Sequence, residues 1–439
     1  LNRWEEIPLI VRSSSVLEDS FGATFSGIYR SIFLANRGTL EQRLHDLTGA
    51  ISEIYAGVFS PDAIAYRRRH NLLDHDERMG VMIQPVVGKE YGRYFFPAVA
   101  GVAFSRNDFR WNKRIRREDG LMRLVLGLGT HAVDRVGDFA RMVPLKAPTM
   151  RPEGTAEEIA ATSQKRVDVL DLEEESFHSI AAGEALEVLR PEGIADYVSI
   201  AAPGGHLKTP IGLRVQEPAD QLLVTFDKLL TRGHFPERLS GILQTLEEAY
   251  RVPVDFEFVH QDDKVHVLQC RPLTGSEDTA RRPVPADVPA RNQVFSAHRW
   301  ISTAVVENIA FIVLVEPRDY AQIESVDHRL EVGKIVAKLN ESLAEKRFLL
   351  MGPGRWGSQD LRLGVRVGFA DLSHAAALIE IARMQHGLTP EPSFGTHFFQ
   401  ELVEASIPYL PLYPDQAGVV YNEHVLLGAE NVLAEHVPD

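Results

Sequence analysis

Cysteine is nearly absent from this chain: its 439 residues include one, Cys270. A lone cysteine closes no intrachain disulfide and fits a reducing compartment, so the expected location is the cytoplasm. No apolar run reaches the roughly 18–20 residues that cross a bilayer as a helix, so a helical membrane protein is not expected. The first residues lack the basic start and apolar core of a signal peptide. They also lack Met, and the chain enters an apolar run by Pro8, so we expect the native protein to begin upstream. Positive charge is in deficit, with 47 Lys and Arg against 61 Asp and Glu and a net charge of −14. That balance argues against a broad nucleic-acid surface. A polyanion can still be held by locally placed Arg, Lys, backbone amides and metal.

What is present is ordinary globular material, 44% hydrophobic and 25% charged, and the length suits two or three domains of roughly 150 residues. Strands are expected at Ile7–Arg12, Gly80–Val87, Gly101–Ser105 and Leu121–Leu126. Between them, Leu40, Leu44, Leu47, Ile51, Ile54 and Tyr55 recur at helical spacing over Thr39–Phe59. Arg166–Leu172 and Tyr197–Ala201 read as strands, and Gln221–Leu230 fits either type. A helix is expected from Pro236, then two strands, Val254–His260 and Val265–Cys270, joined by the polar turn Gln261–Lys264. Prolines 283, 285 and 289 among charged residues make 275–291 a linker. The expected fold class is α+β: a first domain over 1–274, then a smaller α/β domain over 292–439. In the latter, strands are expected near Ile309–Val315 and Phe348–Met351, and helices near Gly333–Leu343 and Ser373–Met384.

Several clusters carry chemistry. Val11-Arg12-Ser13-Ser14-Ser15, with Glu18-Asp19 and Phe25-Ser26-Gly27 beyond, sets a guanidinium and several hydroxyl donors at a strand end. That suits phosphate oxygens, or an Arg paired with Glu18 or Asp19 beside a Ser-rich turn. Asp255 and Glu257 share one face of a strand, as do Gln269 and Arg271 on the next, because side chains alternate with period two. A carboxylate, an amide and an Arg at neighbouring strands suit a Mg-nucleotide; a hairpin with an ordinary salt bridge has the same pattern. Gly127-Leu128-Gly129-Thr130 follows an apolar run and fits a phosphate-approaching loop or a plain turn. Gln84-Pro85-Val86-Val87 interrupts an apolar strand and fits an adenine-lining hinge or core.

Taken in this order, these pieces resemble the ATP-grasp nucleotide-binding domain of phosphoenolpyruvate synthase and pyruvate phosphate dikinase, over about residues 7–274. Ala63 to Arg67 and Ala100 to Ser105 also match, and the closing Asp-Phe-Glu and Leu-Gln-Cys-Arg-Pro segments at 255–257 and 268–272 are the most specific. The resemblance implies ATP and Mg²⁺ as cofactors. It places Arg12 and Arg271 on the transferred phosphates, Asp255 near the moving phosphoryl group, and Glu257 and Gln269 on Mg²⁺. Gln84, Pro85, Val86 and Val87 would line the adenine pocket, with Gly127 and Gly129 in the phosphate loop. Phosphoryl transfer of this kind works by positioning and charge neutralisation.

Departures from the family pattern shape the expected function. A Gly-Gly-Lys segment usual in the family does not precede Arg12, and Thr130 stands where Glu usually follows Gly-Leu-Gly. The stretch beyond Pro272 is too short for a pyruvate-binding barrel, which alone takes about 250 residues. We therefore expect an ATP- and Mg-dependent kinase or dikinase with an unassigned small-molecule or protein acceptor and an upstream segment or partner domain. The alternative is an ATP-binding sensor without turnover. Two further clusters stand out: Gly352-Pro353-Gly354-Arg355-Trp356-Gly357-Ser358, an anion loop or a Trp-capped turn, and Ser393 to Gln400. The latter loosely resembles a phosphohistidine motif, with His397 as phosphoryl acceptor or as a structural histidine.

Overall fold

The computed structural model describes residues 1, 4–15, 17, 29–69, 72–73, 77–107, 112, 114–130, 140–202, 206–210, 212, 215–273, 285, 287–298, 304–358, 361–383, 392–393, 398–399, 402 and 407–437. Packing divides the chain into two units, Leu1–Asn107 with Ile115–Thr274, and Gly275–Asp439 with Asp108–Arg114. Helices and strands mix in both, as an α+β reading requires. Among the described residues no helix is long and apolar enough to cross a membrane.

The first unit is built on antiparallel sheets. One has the order β2-β1-β3, from β1 (Leu9–Ser15), β2 (Ser31–Leu34) and β3 (Met79–Pro85). Another is β10-β9-β5-β4, from β4 (Lys89–Tyr91), β5 (Tyr94–Phe96), β9 (Arg166–Asp171) and β10 (Ser176–Ala181). The largest runs β15-β14-β6-β7-β8, from β6 (Val99–Phe104), β7 (Leu121–Val125), β8 (Arg141–Pro144), β14 (Val254–Gln261) and β15 (Lys264–Pro272). A small sheet, β12-β11-β13, comprises β11 (Val198–Ala202), β12 (His206–Lys208) and β13 (Leu222–Val224). The main core forms where Phe256 and Phe258 of β14 meet Leu239 and Leu243 of the Phe235–Tyr250 helix.

Local chemistry accounts for several boundaries. Thr39 caps the Leu40–Gly57 helix in a reciprocal box: Gln42 N donates to Thr39 Oγ1 at 3.3 Å, and Thr39 N donates to Gln42 Oε1 at 2.9 Å. Its buried face differs from the expected one. Ala50 and Ile54 pack on Val11 of β1, whereas Leu40, Leu44 and Tyr55 are about half exposed, at 49%, 52% and 50%. Buried Arg43 takes the intervening place, bonding Asn36 Oδ1 at 2.9 Å. At the β14–β15 turn, Asp262 and Asp263 both have positive φ, 52° and 56°, the type I′ geometry whose twist matches a tight hairpin. Gln221–Leu230 holds both types, β13 followed by the Asp227–Thr231 helix.

The second unit has a four-stranded sheet in the order β16-β17-β18-β19, every neighbouring pair parallel. Its strands are β16 (Phe311–Leu314), β17 (Phe348–Pro353), β18 (Ala377–Ile381) and β19 (Tyr409–Leu412). The expected helix at Ser373–Met384 is corrected here: its centre is β18, every residue of which is buried. A strand covered on both faces loses its alternation and reads as a continuous apolar run, which periodicity alone cannot separate from a buried helix.

Candidate functional site

β1 and β3 face β14 and β15 across a cavity of about 370 Å³, within the size range of ligand pockets. Two side-chain ties span the sheets. Arg12 donates to Glu257 through both terminal nitrogens, Nη1 to Oε2 at 2.7 Å and Nη2 to Oε1 at 3.2 Å, joining residues 245 apart in sequence. Gln84 donates from Nε2 to the Leu268 carbonyl at 3.4 Å. That carbonyl is available because the ladder slips between Glu257 and Phe258: Glu257 faces Gln269, the next pair is Phe258 with Val267, and Leu268 is the extra residue of a bulge.

Of the residues expected at a nucleotide site, Arg12, Gln84, Pro85, Val86, Val87, Gly129, Glu257, Gln269 and Arg271 all line this cavity. Asp255 does not. It is 4% exposed, and both its oxygens accept from Arg271 Nε, at 3.0 and 3.1 Å. Gly127 also stays out of the lining and acts in packing. With φ +100°, it passes so close to β9 that an added Cβ would lie 2.6 Å from the Asp168 carbonyl oxygen. Leu128 N then bonds that same oxygen at 2.9 Å, and the Thr130 hydroxyl bonds the Asp168 carboxylate. Glu18, Asp19, Phe25–Gly27 and His397 lie outside the described residues.

Sequence reading missed Tyr29, Arg30, Ser31 and Phe33, which also line the cavity. A signal was available: Arg30 opens the short β2 much as Arg12 lies within β1. The charged lining is three arginines, Arg12, Arg30 and Arg271, against Glu257. Each guanidinium already faces a carboxylate, Arg12 with Glu257, Arg30 with Glu53 and Arg271 with Asp255. Among the described residues the one cluster with metal-ligand spacing, Asp171, Glu174 and His178, lies elsewhere, on the β9–β10 hairpin. There the Arg93 guanidinium already pairs with Asp171 and Glu174.

These elements define a class: a cleft between two antiparallel sheets, lined by three guanidinium groups and a carboxylate and bordered by the apolar stretch Pro85, Val86 and Val87. The family follows from comparison with known proteins. The sequence pattern of the pyruvate phosphate dikinase AMP/ATP-binding domain matches residues 2–292, and the chain belongs to that family. Rifampicin phosphotransferase of Streptomyces sviceus is 25% identical over 292 residues, covering 66% of this chain and 26% of its own length. A Bacillus subtilis protein named uncharacterized phosphotransferase YvkC is 26% identical over 267 residues, covering 60% of this chain and 24% of its own. A rifampicin phosphotransferase from another Streptomyces is 25% identical over 264 residues. The chain spans about a quarter of the length of these relatives.

Proposed function

We propose that this chain is an ATP- and Mg-dependent phosphotransferase whose nucleotide lies in the cleft between β1–β3 and β14–β15, in the manner of an ATP-grasp domain. The observation that carries this reading is the meeting of Arg12, Glu257, Gln269 and Arg271 at one cavity, from opposite ends of the first unit. The residues suit the parts required of them. Val86 and Val87 offer an apolar edge to a base, while Gly129, with φ +86°, lets backbone approach a phosphate. Arg12 and Arg271 supply forked donors that match phosphate oxygens. Asp255 holds the Arg271 guanidinium in place from behind and is a positioning residue. Glu257 and Gln269, opposite one another in the ladder, give the carboxylate and amide oxygens that suit Mg²⁺, which when bound would neutralise phosphate charge.

Loading this site exchanges one pairing for another. With nucleotide bound, Arg12 would turn from Glu257 to a phosphate, and Glu257 would be free to hold Mg²⁺. The relatives' names point to phosphoryl transfer, with the acceptor of this chain unassigned. The pre-formed Arg12–Glu257 pair equally suits a sensor, a site that opens on nucleotide and does nothing further. ATP labelled separately at the β and γ positions separates the two. AMP formation with label on an acceptor marks a dikinase, ADP formation a simple kinase, and saturable binding without turnover a sensor. Glu257→Gln is expected to lower Mg-dependent turnover at least about a hundredfold while the far-ultraviolet spectrum stays unchanged. Undiminished turnover in that variant would remove the site from consideration.

A further inference from the structure

The first unit holds a second cavity of about 370 Å³ that shares no lining residue with the first. The two are neighbours along the chain. Phe258 and Val259 of β14 line the first and His260 and Gln261 the second, and Pro97 and Ala98 divide in the same way. The β14–β15 turn and β4 supply part of the second cavity's wall. The rest comes from the segment before β11 and from the turn between the Asp227–Thr231 and Phe235–Tyr250 helices. Its volume lies in the range that holds a small organic molecule.

Carbon lines much of it. Ala98, Leu189, Leu229 and Phe235 are buried, and the Phe235 and His260 rings lie 4.8 Å apart, centre to centre. Every carboxylate on the lining already has a cation beside it. Lys89 Nζ lies 2.7 Å from Asp262 and 3.8 Å from Glu192, Lys228 Nζ 3.1 Å from Asp196, and Arg238 Nη1 2.7 Å from Asp263. Lys228 also donates to the Gly212 carbonyl at 2.8 Å. One cation and one hydroxyl are left over. Arg232, just past the Asp227–Thr231 helix, is exposed, and its guanidinium has no ion pair or hydrogen bond among the described residues. The Tyr197 hydroxyl likewise has no partner there, whereas Tyr91 bonds the Gln261 side chain. Burial, with Tyr91, Asp196 and Asp262 adding to it, pushes the Tyr197 phenol up to about 12, so it keeps its proton as a neutral donor.

We propose that this second cavity binds a small aromatic carboxylate, its ring against Leu189, Leu229 and Phe235 and its acid group on Arg232. The Tyr197 hydroxyl serves a further oxygen of the ligand. A guanidinium donates in a fork that matches a carboxylate, and a flat ring suits a wall of leucine and aromatic side chains. An inorganic anion would satisfy Arg232 and leave that wall against water. An amine would bring a cation to carboxylates that are already paired and set it against Arg232. The site uses none of the residues of the nucleotide cleft, so it stands or falls apart from the function proposed there.

The test is binding of 4-hydroxybenzoate to the full chain, read by saturation transfer to the ligand's ring protons. Its amide, 4-hydroxybenzamide, keeps the shape and removes the charge. The acid is expected to bind saturably with a dissociation constant near ~1 mM, and the amide about tenfold more weakly. Arg232→Gln, at an exposed position, is expected to weaken the acid about tenfold and to bring acid and amide level. Tyr197→Phe keeps the ring and is expected to weaken the acid about threefold. Arg12→Gln, in the other cleft, is expected to change nothing in this assay. No saturable binding of the acid below ~20 mM would overturn the proposal. Equal binding of acid and amide by the unaltered chain would do the same, as would affinity that survives both Arg232→Gln and Tyr197→Phe. Loss of binding in Arg12→Gln with Arg232→Gln unaffected would move the acid to the first cleft and end the case.

Discussion

Glu380 shows how much one side chain can organise. It sits in β18 with no exposed surface, and its two oxygens accept from Trp356 N at 2.8 Å, Ser393 N at 2.6 Å, Ser393 Oγ at 2.5 Å and Tyr409 Oη at 2.6 Å. Both clusters singled out in the second unit, the loop around Trp356 and the segment opening at Ser393, are thereby fastened to one carboxylate. Burial raises its pKa to about 7 even against those four donors. The folded state therefore binds this proton more tightly than the unfolded state. Its stabilising contribution is complete below the ordinary carboxylate range and falls as pH climbs toward about 7. Glu380→Gln, a fixed mimic of the protonated acid, lacks that slope. Chemical denaturation of both forms at several pH values is expected to show wild type losing up to about 1.4 kcal/mol per pH unit relative to the variant. A constant difference across that range would refute the assignment.

Elements were legible where their signals are local. The helix over Thr39–Phe59 and the polar turn at Gln261–Lys264 were read from a few neighbouring residues, and the alternation of Asp255, Glu257, Gln269 and Arg271 predicted the faces they share across β14 and β15. Contributions of distant chain were not legible. Nothing near Arg12 indicates that its partner is Glu257, and nothing near Leu40 indicates that Arg43 rather than Leu44 turns inward. β18 was misread because burial on both faces erases the period that distinguishes strand from helix. Thr39→Ala tests the legible part. Removing the cap is expected to cost the first unit about 1 kcal/mol, read as a lower denaturation midpoint with an unchanged slope.

At the scale of the whole molecule, charge works against a polyanion. The chain carries a net charge of −14, and the three arginines of its cleft are each already paired, with Glu257, Glu53 and Asp255. Long-range repulsion acts over tens of ångströms and is screened by salt, whereas contact pairs in a half-buried cleft are screened far less. The association rate of Mg-ATP is therefore expected to rise about two- to threefold between ~0.02 and ~0.2 M salt, as stopped-flow binding would reveal. A fall over that range would place the nucleotide on some other, net-cationic surface. The Arg12–Glu257 bridge adds a second filter. A bare polyanion that captures the arginine strands a carboxylate, and a bare divalent cation that captures the carboxylate strands the arginine. On the proposed function, the chelate of the two would compensate both halves at once, so the cleft would work as a coincidence gate, keyed to a pair of arrivals and indifferent to either alone.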